Sequence, residues 1–205
     1  MRALAVLAIA ISLMAGLCGC KTQAVSSDDM SLGNPNAKVT VIEYASLGCP
    51  HCAHWNNEVF PAFKAKYIDT GKVRYVLREF LTGDPGIASA GFLLARCAGK
   101  DKYFQVVDAV FHEEADLLES QDNGAKRDRL VRIAESAGLT EPQFQACITD
   151  DKALTALNDR SERYGKQNNI SGTPTFVING KVYSESPLSI QDLDKAIAEA
   201  QAGAK

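Results

Sequence analysis

Histidine, tryptophan and methionine are scarce in this 205-residue chain, which has 3 His, 1 Trp and 3 Met. Met1 and Met14 lie in or beside an N-terminal apolar run and the third is Met30, so no methionine-rich loop exists to hold a soft metal. His54 and the distant His112 are a poor complement to the cysteines for a four-ligand zinc set. A c-type haem site needs His directly after the second cysteine of a pair, and here that position is Ala53. Positive charge is not in excess either: 22 Lys+Arg against 25 Asp+Glu leave a net charge of −3, without the basic footprint that phosphate backbones require. These shortages argue against metal, haem and nucleic acid as partners. No internal repeat is present, and the longest apolar run, Ala3 to Leu17, is too short for an ordinary membrane span.

The chain has the composition of a folded protein, 46% hydrophobic and 23% charged, and a length suited to one domain or one domain with an insertion. Six cysteines stand out. The first two, Cys18 and Cys20, close a segment that starts Met1-Arg2 and continues as the apolar run, which is the pattern of an export signal. Leu17-Cys18-Gly19-Cys20 resembles a bacterial lipoprotein box in which Cys20 receives lipid; cleavage after Ala24, leaving a soluble protein, is the alternative. Residues 20–37 are polar, without periodicity, and read as a tether. Export places the remaining cysteines where disulfides form and persist.

Farther on, Lys38–Tyr44 is rich in β-branched residues and reads as a buried strand, followed by a helix from Cys49-Pro50 to about Gly71 that Pro61 should kink. Val73–Phe80 reads as a second strand, giving β-α-β. Helical patterns then run over Ile87–Ala98, Asp101–Leu118, Lys126–Ala137, Glu141–Ile148 and Lys152–Asn168. Asn179-Gly180 between Thr175–Ile178 and Lys181–Ser184 signals a hairpin, and a final helix covers Ser189–Ala202. The stretch from Phe80 to Pro174 far exceeds the dozen or so residues that a crossover needs, so most of it must be an inserted helical unit.

A β-α-β unit whose helix opens with Cys49-Pro50-His51-Cys52, an all-helical insertion, and Gly172-Thr173-Pro174-Thr175 leading into a hairpin resembles the thioredoxin fold. More narrowly it resembles the DsbA family of exported thiol:disulfide oxidoreductases. The resemblance covers residues 30–203. It implies an α/β fold with residues 38–82 and 170–203 as the thioredoxin-fold domain, 83–169 as the insertion, and 1–19 as the signal peptide. It also implies a cis-Pro174 loop facing the cysteines, with Thr173 presenting its backbone to substrate.

At a helix N-terminus, free backbone N–H groups and the helix dipole favour an anion, so the Cys49 thiolate should be stabilised, with His51 adding positive charge when protonated. Cys49 is then the nucleophile and Cys52 the resolving thiol. A stabilised thiolate favours the reduced pair and makes the disulfide an oxidant. Glu43 matches a buried acid that the family uses for proton transfer; a structural pairing with Arg78 or Arg74 is the alternative. Trp55 is either a rim of the substrate groove or core packing. Cys97 and Cys147, on apolar helical faces, are expected to form a structural disulfide or else to be buried free thiols.

The resemblance implies reduced exported proteins as substrates, a DsbB-like membrane protein that re-oxidises the pair, no cofactor and a monomer. Threonine before Pro174, where the best-known relatives carry valine, keeps an isomerase or reductase open. A Cu(I)-binding carrier is the more distant rival.

Overall fold

The computed structural model describes residues 24–184 and 188–203; the expected export signal and Cys20 lie outside them. Among the described residues five strands form one mixed sheet in the order β1-β3-β2-β4-β5, from β1 (Met30–Gly33) at one edge to β5 (Lys181–Tyr183) at the other. At its centre β2 (Val39–Ala45) runs parallel to β3 (Val73–Glu79), with Glu43 opposite Leu77, and antiparallel to β4 (Thr175–Ile178), with Glu43 opposite Phe176. β5 (Lys181–Tyr183) follows β4 through Asn179-Gly180, both with positive φ, as a two-residue hairpin of this twist requires.

β2 and β3 are buried on both faces, which accounts for their β-branched and aromatic content. On one face Val41, Tyr75, Leu77 and Phe176 join the main core with α1 (Pro50–Glu58) and α9 (Ile190–Gly203). On the other, Ile42, Tyr44, Val76 and Val177 pack beneath Tyr164 and Ile170. Tyr164 belongs to α8 (Asp151–Asn168), so the end of that helix is a layer of the sheet domain and not of an insertion reaching to residue 169. Between β3 and α8 lie α3 (Pro85–Cys97), α4 (Tyr103–His112), α5 (Glu114–Glu119), α6 (Asn123–Ser136) and α7 (Glu141–Ile148).

The helix expected from Cys49 to Gly71 is broken. After α1 come the short α2 (Phe60–Phe63), with Pro61 in its first turn where its missing N–H costs nothing, and a π-helical stretch, Lys64–Ile68. A second expected continuous helix, Asp101–Leu118, divides at Glu113 into α4 and α5.

The tether assigned to residues 20–37 is corrected over its second half. Met30–Gly33 forms β1, antiparallel to β3, and occupies an edge that would otherwise present unpaired backbone groups. Just before it, buried Asp29 accepts bonds from Arg78 Nε at 3.1 Å, Arg78 Nη2 at 3.0 Å and the Tyr164 hydroxyl at 2.8 Å. Those bonds hold Asp29 below the usual carboxylate range against the opposing effect of burial. A polar residue in a polar segment thus becomes a buried ion pair, which hydropathy alone does not reveal.

Buried Glu79, at the end of β3, ties the helices to the sheet. It accepts from Arg96 Nε at 2.5 Å, the Tyr103 hydroxyl at 3.1 Å and Arg160 Nε at 2.9 Å, joining α3, α4 and α8. One residue past Arg96, Cys97 forms a disulfide with Cys147 of α7, their Cα atoms 5.9 Å apart. Closing a loop of 50 residues removes unfolded-state freedom worth about 4 kcal/mol in the chain-entropy account.

Candidate active site

Cys49 is the N-cap of α1 in an extended conformation, with Pro50 at the first helical position. Its carbonyl accepts from Cys52 N at 2.9 Å and Ala53 N at 3.1 Å, so the helix starts under the sulfur. The preceding turn is held by Ser46, whose hydroxyl accepts from Gly48 N at 3.2 Å and donates to the Thr82 carbonyl at 2.7 Å. Gly48 and Gly83 are required where two loops touch. A Cβ on Gly48 would overlap the Asp84 carbonyl oxygen, and one on Gly83, whose φ is +69°, would overlap the Gly48 carbonyl oxygen.

Facing this turn, the Thr173–Pro174 peptide is cis, and the Cys49 thiol donates to the Thr173 carbonyl with Sγ 3.4 Å away. The Thr173 and Thr82 hydroxyls are 2.6 Å apart, fixing the loop to the segment after β3. Sequence reasoning missed Thr82 and Ser46, because small polar residues in loops carry no signal of what they bridge.

The two cysteines are unpaired and differ sharply. Once Cys49 loses its proton, a hydrogen bond from the Cys52 thiol, then one from the Thr173 side chain and those of the backbone N–H groups of Cys52 and His51, favour the thiolate against partial burial and bring the pKa down to about 5. Cys52 is fully buried, and desolvation, the bond to Cys49 and the charges of Glu43 and Cys49 push its thiol well up. One helical turn therefore separates a ready thiolate from a thiol that keeps its proton. His51 is exposed beside them and contributes its backbone N–H.

Glu43, only 2% exposed, accepts from the Tyr75 hydroxyl at 2.6 Å; neither Arg78, engaged with Asp29 and Tyr44, nor Arg74 pairs with it. Burial raises its pKa to about 8; the Tyr75 bond opposes that and the Cys49 charge adds to it. It is poised near neutrality, where a group that exchanges protons works best.

Trp55 does not form a groove rim. It is 0% exposed, its ring 4.8 Å from that of Phe176 and its Nε1–H donating to the Leu188 carbonyl at 2.9 Å. An indole whose polar edge finds a backbone acceptor is a core residue, and here it anchors α1 to the sheet. Among the described residues no group of three or more His, Cys, Asp and Glu side chains is placed to hold a metal ion, and no helix is long and apolar enough to cross a membrane.

A low-pKa sulfur at a helix start, a buried partner thiol and a buried acid of raised pKa are an arrangement chemically suited to thiol–disulfide exchange. Residues 25–199 match the sequence profile of a family described as Thioredoxin. A Rickettsia bellii protein named "Putative protein-disulfide oxidoreductase" is 35% identical over 187 residues, covering 88% of this chain and 69% of the relative. Its namesake from Rickettsia typhi is 36% identical over 183 residues, covering 87% of this chain and 64% of the relative. Among solved structures, Wolbachia pipientis alpha-DsbA1 superposes with a TM-score of 0.77 at 28% identity, over 90% of this chain and 96% of that one. Oxidised BdbD from Bacillus subtilis shares the fold, with a TM-score of 0.72 at 20% identity, over 85% of this chain and 94% of that one. The chain belongs to the DsbA-like thiol:disulfide oxidoreductases of the thioredoxin family.

Proposed function

We propose that this protein oxidises dithiols of exported proteins through its Cys49–Cys52 disulfide. A substrate thiolate attacks Cys49 Sγ, the Cys49–Cys52 bond breaks, and its electron pair stays on the Cys52 sulfur, which takes a proton. The second substrate thiolate then attacks the substrate sulfur of the mixed disulfide and expels Cys49 as a thiolate. The substrate has lost two electrons, and the protein holds them as the Cys49 thiolate and the Cys52 thiol.

Glu43 supplies the proton to Cys52 and withdraws it on re-oxidation. The Thr173–Pro174 loop receives the substrate backbone. Re-oxidation is assigned to a DsbB-like membrane protein that passes the electrons to quinone. Residues 1–19 act as the signal and Cys20 carries lipid; a native-protein mass showing an unmodified N-terminus downstream of Cys20 would overturn that anchor.

The observation that carries this reading is the placement of Cys49 at the N-cap of α1 with Cys52 fully buried one turn on, which lowers the Cys49 pKa to about 5 and keeps the proton on Cys52. A thiolate stabilised at neutral pH favours the reduced pair and makes the disulfide a strong oxidant. Equilibration with glutathione should give a reduction potential more oxidising than about −180 mV. A value near that of thioredoxin, about −270 mV, would instead support the reductase or isomerase alternative that Thr173 keeps open.

A further inference from the structure

Glu114 lies at the break between α4 and α5 and is 3% exposed, and its Oε1 is a buried oxygen without a hydrogen-bond partner. Orphaned acidic oxygens inside proteins are rare because they forfeit solvation for nothing. α5 packs against α1, the helix that Cys49 caps. Other charged or titratable groups around it are engaged with each other or turned to solvent. On α1, His51, His54 and Glu58 are exposed. On α4, Asp108 lies beside His112 and accepts from Asn56 at 3.0 Å. Glu113 and Asp116 pair with Arg129 of α6. Burial first, and after it the Cys49 thiolate, raise the pKa of Glu114.

We propose that Glu114 is a positioning residue for Cys49 on the helical side of the site: it takes up a proton when Cys49 becomes a thiolate and releases it when the Cys49–Cys52 disulfide re-forms. This rests on the thiol-oxidase reading and deepens it. A substrate dithiol releases two protons as it gives up two electrons. Glu43 gives its proton to Cys52 and takes one of the two in return, and the other goes to the Glu114 carboxylate, so the buried site holds one negative charge before and after the exchange. When the re-oxidising partner's quinone accepts the two electrons, both protons leave with them.

Charge conservation is the physical advantage. Without proton uptake, the Cys49 thiolate and the buried Glu114 carboxylate would both be charged, and their repulsion would raise the energy of the reduced protein. A glutamine in this place could fill the space and could not carry the proton. Nothing in Phe111-His112-Glu113-Glu114-Ala115 marks Glu114, and not the adjacent Glu113, as the buried acid; only the placement of α5 against α1 does.

The test uses the full protein, labelled with ¹³C at glutamate carboxyls and titrated by NMR in both redox states, with the Glu114 signal assigned from Glu114→Gln. The Glu114 carboxyl is expected to titrate at higher pH in the reduced protein than in the oxidised one. With a pH indicator, Glu114→Gln should take up fewer protons per disulfide reduced and lose the corresponding step in their pH profile. Identical Glu114 titrations in the two states, in a protein that oxidises a dithiol peptide normally, overturn the proposal and leave the oxidase reading standing. Failure of the unmutated protein to oxidise the peptide overturns both. Should Glu114→Gln not fold, Glu114→Asp removes the same glutamate carboxyl signal and supplies the assignment, so the titration of the unmutated protein still decides.

Discussion

Replacing Cys52 by serine stops dithiol oxidation while leaving the protein able to capture substrates. The steady-state rate should fall on the order of 10⁴-fold or more, as when one member of a covalent-catalysis unit is removed. The serine hydroxyl can still donate to the Cys49 sulfur, as the Cys52 thiol does, so Cys49 should still titrate at acid pH, near its value of about 5. Its thiolate then attacks substrate disulfides and has no buried thiol to resolve the product. Non-reducing gels should show stable mixed disulfides that disappear with reductant. Cys49→Ser should be equally inactive and form no such adducts, because the remaining thiol is fully buried and its pKa lies well above the ordinary value. Adducts on Cys52 in the Cys49→Ser protein, or continued turnover by Cys52→Ser, would reverse the assignment of the two sulfurs.

That asymmetry is legible in the sequence alone, because the cause is local. Cys49 followed by Pro50 marks a helix start, and a helix start favours an anion wherever it occurs. The hairpin at Asn179-Gly180 and the boundaries of α7 were legible for the same reason: turn chemistry and capping act over a few residues. Long-range partnerships were not legible. Asp29 and Arg78 are separated by 49 residues, and only folding reveals that Met30–Gly33 is an edge strand with a buried ion pair at the residue just before it. Trp55 sat on a helix of low amphipathicity whose exposed face carries His51, His54 and Glu58, so its burial depended on Phe176 and Leu188, far along the chain. Glu43 is singled out by its match to the family's buried acid six residues before Cys49, but the sequence offers two arginines as partners where the fold supplies Tyr75.

Glu43→Gln should make the reduced protein more resistant to unfolding at alkaline pH and less active. Glu43 has a folded pKa of about 8 against an ordinary 4.5, so between those values the folded state binds more protons than the unfolded one. Stability must then fall as pH rises through that window, the opposite of the behaviour of Asp29, whose lowered pKa gives stability that is lost only as the solution becomes strongly acidic. Glutamine does not titrate and keeps an acceptor for the Tyr75 hydroxyl. Its amide N–H groups need partners of their own, which sets a constant offset of roughly 1–3 kcal/mol. Relative to the unmutated protein, the variant should therefore gain about 4 kcal/mol between pH 4.5 and pH 8, whatever that offset is. Urea unfolding of the two reduced proteins across this range measures it, and parallel curves would show that Glu43 is ionised in the fold. Activity should move the other way. Without a group that carries the proton to and from Cys52, oxidation of a dithiol peptide should slow by about 100-fold, the lower range for a positioned acid–base group, and lose its pH step near 8. An unchanged rate and pH profile would leave Glu43 a structural residue. The gain in stability and the loss in rate have one cause, the desolvation of a carboxylate beneath the cysteines, so the protein keeps an unstable acid where its chemistry needs a proton.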